Sequence, residues 1–178
     1  MKTVFSGNRF LIAGATGSIG QMAARGISDL GGHMILCGRN DLSLRKLASS
    51  LPSGDHEILE ISENDNELVG RQIAQHATNF GGFDSLLLLT GKLVLKPSHL
   101  LSEVDLKEVL HANYSLPVSI LNAFLRHPNK VGGDRSVVGL SSVSASKSEP
   151  GLSAYGASKA AFESHLKTMA VEVARRGI

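Results

Sequence analysis

Short apolar runs alternate along this chain with longer stretches whose apolar residues recur at helical spacing. The runs are Phe10-Leu11-Ile12-Ala13, Met34-Ile35-Leu36-Cys37, Ile58-Leu59, Leu86 to Leu89 and Val137-Val138-Gly139-Leu140. Runs without polar alternation suit strands of a parallel sheet covered on both faces. Between the first two runs, Ile19, Met22, Ala23, Gly26, Ile27 and Leu30 predict one buried helical stripe, stopped at Gly31-Gly32. Leu42, Leu44 and Leu47 predict a second helix ending near Pro52-Ser53-Gly54. A third is predicted over about Asn66 to Thr78, ending at Gly81-Gly82, and a fourth over about Ser102 to Leu125 with a kink at Pro117. Gly132-Gly133-Asp134 reads as a turn before the last strand, and a fifth helix runs from about Ser153 to Arg176. Strand alternating with helix implies right-handed crossovers and an α/β, doubly wound parallel sheet in a single domain over residues 1–178.

Composition narrows the setting. Lys plus Arg number 18 and Asp plus Glu 16, so the net charge of +2 gives no reason to expect nucleic acid or an anionic membrane as partner. The longest all-aliphatic run, Leu86 to Leu89, is far short of a membrane span, and Met1 to Arg9 lacks the pattern of a signal peptide. Cys37 is the only cysteine and cannot form an internal disulfide, which fits a reducing compartment; the expectation is a soluble cytoplasmic protein. The seven histidines are scattered without metal-ligand spacing, so no metal is expected.

Two features at strand ends carry binding chemistry. Gly14-Ala15-Thr16-Gly17-Ser18-Ile19-Gly20 stands between the first strand and the first helix. Glycines there let the backbone turn sharply and come close to a pyrophosphate, while free N–H groups at the helix start favour its negative charge. The second strand ends in Cys37-Gly38-Arg39-Asn40, without an acidic residue to meet a ribose 2′-hydroxyl. A guanidinium at Arg39 suits a 2′-phosphate instead, which selects NADP(H) over NAD(H).

A third feature carries reaction chemistry. Tyr155 and Lys159 are four apart near the start of the fifth helix, on one face. An ammonium beside a phenol favours the phenolate, so such a pair can pass a proton to or from a substrate oxygen. Ser142 lies thirteen residues before Tyr155, just beyond the fifth apolar run. Asn113 sits inside the fourth helix, where its side chain competes with the backbone and a function would explain the cost.

With these residues the chain resembles the short-chain dehydrogenase/reductase family from about Phe10 to Ile178. The tetrad appears as Asn113 in Leu110-His111-Ala112-Asn113, Ser142 in Leu140-Ser141-Ser142-Val143, and Tyr155 and Lys159 in Ala154-Tyr155-Gly156-Ala157-Ser158-Lys159. The resemblance implies a Rossmann-type sheet of order 3-2-1-4-5 and hydride transfer between nicotinamide and a carbonyl or alcohol. Tyr155 would move the proton and Ser142 would hydrogen-bond the reacting oxygen. Lys159 would bind the nicotinamide ribose, and Asn113 would hold a water in a proton relay. Gly14, Thr16, Gly17, Ser18, Ile19, Gly20, Arg39, Glu60, Ile61, Gly91, Tyr155 and Lys159 are the cofactor positions implied. The substrate is a small molecule, with a 3-oxoacyl thioester as one candidate. A homodimer through the fourth and fifth helices is implied, with Ala157, Ala161, Phe162, His165, Leu166, Met169 and Val173 as candidates for its surface.

The sequence departs from the family in four places. Ser18 and Gly17 exchange the usual order in the glycine turn, and Leu88-Leu89-Thr90-Gly91 replaces an Asn-Asn-Ala-Gly. Glu60-Ile61 stands where an Asp usually follows the third strand. The chain stops at Ile178, before the sixth and seventh strands, which leaves the fifth strand an open edge. A non-catalytic NADP(H) sensor or a truncated, inactive member is the alternative reading. An extended-branch enzyme acting on a nucleotide sugar is a third, for which the chain is short. Lys92, Lys96 and Pro97 read as a solvated loop near the site mouth, and Ser144, Glu149 and Leu152 as variable substrate-side positions.

Overall fold

The computed structural model describes residues 4–52, 56–61, 65–128 and 133–178; Ser53, Gly54 and Gly132 of the expected turns lie outside them. Among these residues, strands β1 (Arg9–Ala13), β2 (His33–Gly38), β3 (Glu57–Glu60), β4 (Ser85–Leu88) and β5 (Ser136–Gly139) form one parallel sheet of order β3-β2-β1-β4-β5. Helices α1 (Ser18–Asp29), α2 (Asp41–Ser49), α3 (Asn66–Phe80), α4 (Glu103–Leu110), α5 (Leu116–Arg126) and α6 (Ser153–Val173) alternate with them.

Two cores cover the sheet because successive strand residues point to opposite faces. Leu11, Ala13, Ile35, Leu86 and Leu88 pack with Ile73 and Ala77 of α3, Ile120 and Phe124 of α5 and Phe162 of α6. Phe10, Ile12, Met34 and Leu36 pack with Ala24 and Ile27 of α1 and Leu44 and Leu47 of α2. At the edge of the described sheet, Val138 and Leu140 are 54% and 36% exposed.

Three expectations need correction. The first concerns α1, whose buried face is Gly20, Ala24, Ile27 and Ser28, while Ile19 and Met22 are 53% and 75% exposed. A Cβ on Gly20 would collide with the Gly14 carbonyl oxygen, so the backbone of α1 rests directly on the glycine turn. That contact rolls the small residues, rather than the large ones, toward the sheet. On α2, likewise, Leu44 and Leu47 are buried but Leu42 is exposed.

The second concerns the fourth helix, which breaks one turn before Pro117. Residues His111–Ser115 form a π-helical turn in which the Leu116 N–H donates to the His111 carbonyl. Pro117, in the first turn of α5, has no N–H and cannot donate to the Asn113 carbonyl. Asn113 therefore lies in a widened turn, not in regular helix.

The third concerns the candidate partner surface. Phe162, Met169 and Val173 face the core, with Leu166 packed against it. Only part of the expected patch is outward.

Candidate active site

A crevice of about 440 Å³ opens above the carboxyl ends of β1, β2 and β4. Gly14, Thr16, Gly17, Arg39, Ile61 and Gly91 all line it. Ser18, Ile19 and Gly20 form the first turn of α1 just behind the glycine turn. Glu60 does not line it; its Oε1 accepts from the Asp41 N–H at 3.3 Å, at the start of α2. Ile61 is drawn in by its N–H, which donates to the Gly38 carbonyl at 2.7 Å.

The three glycines of the turn differ in kind. Gly14 has φ +84°, and a Cβ there would lie 2.8 Å from the Leu89 carbonyl carbon, so only glycine fits. Gly20 is required by its contact with Gly14. Gly17 is exposed at φ −70°, with nothing closer than 3.4 Å to a Cβ, so protein packing does not require a glycine there. Gly17 is the N-cap of α1, which has no side-chain cap and no acidic residue in its first turn, whereas Asn40, Asp65 and Ser102 cap α2, α3 and α4. An uncapped helix start facing a crevice suits an anion. Beside the glycine turn, the Thr90 hydroxyl is buried without a protein hydrogen-bond partner. An orphaned polar atom of this kind fits a bound polar ligand such as a dinucleotide.

The far end of the crevice is built around Asn113, which is fully buried. Its Oδ1 accepts from the Lys92 N–H at 2.7 Å, and its Nδ2 donates to the Lys92 carbonyl at 2.9 Å and to Ser158 Oγ at 2.9 Å. The amide thus pins the chain after β4 and ties it to α6. Lys159 Nζ donates to the Leu140 carbonyl at 2.9 Å and approaches that of Thr90 at 3.5 Å. A Cβ on Gly91 would lie 3.8 Å from that ammonium, so the crevice wall ends against it. Burial pushes the Lys159 ammonium below its usual value.

Tyr155, half-buried, precedes Lys159 by one turn of α6, and the Ser158 hydroxyl donates to its carbonyl at 2.7 Å. Ser142 starts the turn Val143–Ala145 and accepts from the Ser144 N–H at 3.2 Å. That turn packs on α6 closely enough that a Cβ on Gly156 would lie 2.6 Å from the Ser144 carbonyl oxygen. Around the mouth, Lys92 pairs with Glu108, and Lys96 Nζ meets Asp105 Oδ2 at 2.7 Å. Lys96 and the Ser102 cap hold the Asp105 carboxyl well below the usual carboxylate range. Ser144 Oγ donates to Glu149 at 3.1 Å. Glu108, His111, Leu116 and Ile120 also line the crevice. No local pattern marks them, since their helices turn into the site only through the π-helical turn.

A parallel sheet of order 3-2-1-4-5 with a glycine turn leading into an uncapped α1 defines a Rossmann-like fold; Ser142, Tyr155 and Lys159 do not line the crevice themselves. The chain belongs to the short-chain dehydrogenase family, whose model matches residues 8–178. It is 29% identical over 182 residues to a glucose 1-dehydrogenase of Gluconobacter oxydans (strain 621H), covering 99% of this chain and 68% of that protein. To a 3-oxoacyl-acyl-carrier-protein reductase of Rickettsia typhi it is 30% identical over 176 residues, covering 98% of this chain and 70% of that protein. A short-chain dehydrogenase from Shigella flexneri 2a strain 301, solved in complex with NADP, superposes with a TM-score of 0.89 at 25% identity, covering 99% of this chain and 76% of that one. The chain spans 63% to 70% of the length of the curated relatives it matches. The family uses a nicotinamide cofactor. Among the described residues no helix is long and apolar enough to cross a membrane.

Proposed function

We propose that this chain is the cofactor-binding and catalytic part of an NADP(H)-dependent oxidoreductase acting on a carbonyl or alcohol substrate. The observation that carries the reading is the buried Lys159 ammonium at the end of the crevice, one turn beyond Tyr155. When bound, the nicotinamide supplies or takes up hydride. The N–H groups of Ser18, Ile19 and Gly20, at the start of α1, would receive the pyrophosphate, Arg39 the 2′-phosphate, and Ile61, Thr90 and Gly91 would flank the adenosine. Lys159 would hold the nicotinamide ribose. Tyr155 gives its proton to the carbonyl oxygen on reduction and takes it back on oxidation, while Ser142 donates a hydrogen bond to the same oxygen. The Asn113 side chain is already engaged, so the group it offers a relay water is the backbone carbonyl to which Pro117 cannot donate.

The test is NADPH oxidation, followed by absorbance, with simple ketones and 3-oxoacyl thioesters. NADPH binding without turnover of any of them would favour a sensor over an enzyme. Cofactor choice is checked separately. Charge-assisted hydrogen bonds are worth ~1.5–3 kcal/mol, so Arg39→Ala is expected to weaken NADPH binding roughly tenfold or more and leave NADH nearly unchanged. An unaltered NADPH-to-NADH ratio of dissociation constants refutes the 2′-phosphate assignment.

The same reading includes a homodimer through α4, α5 and α6. Val104, Leu106 and Leu110 of α4 and Val171 of α6 are exposed apolar residues on these helices, and Tyr114 and His165 meet edge-to-face between α6 and the turn before α5. Sedimentation equilibrium is expected to give twice the chain mass; a monomer at micromolar concentration rejects the pairing.

A further inference from the structure

Two residues of α6 grip the segment that leads from β5 to Ser142. Lys159 Nζ donates to the Leu140 carbonyl at 2.9 Å, and one turn later Glu163 Oε2 accepts from Ser141 Oγ at 2.8 Å. Glu163 Oε1 is bound by Lys167 at 2.6 Å on the solvent side. These bonds, Lys167 first, hold the Glu163 carboxyl below its usual range, so it is an ionised acceptor at neutral pH. On its other side the segment is held to the sheet, where the Leu140 N–H donates to the Leu88 carbonyl at 3.0 Å. Ser141 and Ser142 are adjacent, and Tyr155 and Glu163 are two turns apart on one rigid helix. The Ser141–Glu163 bond therefore fixes where Ser142 stands along the helix that carries Tyr155.

We infer that Glu163 is a positioning residue: by holding Ser141 it sets Ser142 in register with Tyr155. The inference rests on the proposed reading of Ser142 and Tyr155 as partners at one reacting oxygen. Loss of the bond leaves the sheet contact and Lys159 in place but frees Ser141 to turn, and a small misplacement of an orienting group lowers turnover more than binding. Nothing in the Tyr-x-x-x-Lys pattern points to the residue four beyond the Lys, and no charge run marks Ser141.

The experiment uses the whole chain, NADPH and a ketone that the chain reduces, with Tyr155→Phe measured alongside. Glu163→Ala and Ser141→Ala are each expected to lower kcat about five- to tenfold with KM for NADPH unchanged, less than the full loss of a hydrogen bond to a charged group because the segment's other contacts remain. The double variant is expected to be no slower than the slower single one, because both remove the same bond. Glu163→Gln keeps an acceptor oxygen and restores kcat, and Lys167→Ala, which breaks only the outer pair, leaves it unchanged. Amide exchange over residues 140–145 is expected to quicken in both Ala variants but not in Glu163→Gln. Multiplicative losses in the double variant, an unchanged kcat, or unchanged exchange each overturn the proposal while the oxidoreductase reading stands. Quickened exchange together with turnover that survives Tyr155→Phe overturns the reading itself, and the positioning role with it.

Discussion

Replacing Tyr155 by Phe is expected to lower kcat by about 10²- to 10⁴-fold, the range removed with a positioned general acid. The dissociation constant for NADPH is expected to stay within about twofold, since the ring remains and only the hydroxyl is lost. Tyr155 stands half-buried in the first turn of α6, one turn from the buried Lys159, whose charge is held against the carbonyls of Leu140 and Thr90 rather than neutralised by a carboxylate. Without the hydroxyl the substrate oxygen loses its proton donor, because Ser142 offers only a weakly acidic hydroxyl and the Lys159 ammonium is held by the Leu140 and Thr90 carbonyls. Nicotinamide absorbance gives kcat, and quenching of NADPH fluorescence gives binding. Turnover within tenfold of the parent, with binding intact, rejects Tyr155 as the proton carrier.

The second large effect is on stability. Asn113→Ala removes three hydrogen bonds at a fully buried site and strands the N–H and carbonyl of Lys92. Each buried group left without a partner costs ~1–3 kcal/mol, and the lost side-chain volume adds to it, so a destabilisation of roughly 3–5 kcal/mol is expected. For a chain of this size that corresponds to a fall in Tm of roughly 10 °C. Urea unfolding followed by circular dichroism measures it. A loss below about 1 kcal/mol shows that water replaces the amide and that the contact does not fix the chain after β4.

The sequence cost assigned to Asn113, a short polar side chain inside a helix, has a structural resolution. The π-helical turn His111–Ser115 carries it, and its amide serves as a bracket between the chain after β4 and α6. The family's usual amides at the end of β4 are Leu88 and Leu89 here, so Asn113 braces the Lys92 backbone itself. The position was legible; the bracket was not, because it joins residues 21 and 45 apart in sequence.

Other features separate in the same way. The first two apolar runs were legible as strands because a strand buried on both faces, as β1 and β2 are, tolerates no polar alternation; β5 kept the same pattern although Val138 and Leu140 are exposed. Gly14 was legible as a turn residue because its positive φ is a local demand. The roll of α1 was not, because Ile27 belongs to both possible stripes and the contact of Gly20 with the Gly14 carbonyl chose between them. Arg135 was also invisible as a core residue. It is buried, donates to the Phe83 and Phe124 carbonyls and lies 3.8 Å from the centroid of the Phe124 ring. Burial pushes its guanidinium down to about 10.

By itself the sequence determined the alternation of elements, the parallel sheet, the glycine turn and the Tyr-x-x-x-Lys pair, since each depends on spacing within a few residues. The tertiary structure alone decided which face of α1 is buried, where the fourth helix breaks, that Ile61 rather than Glu60 lines the crevice, and what holds Ser141. These depend on backbone contacts between segments far apart in the chain, and local periodicity carries no information about those.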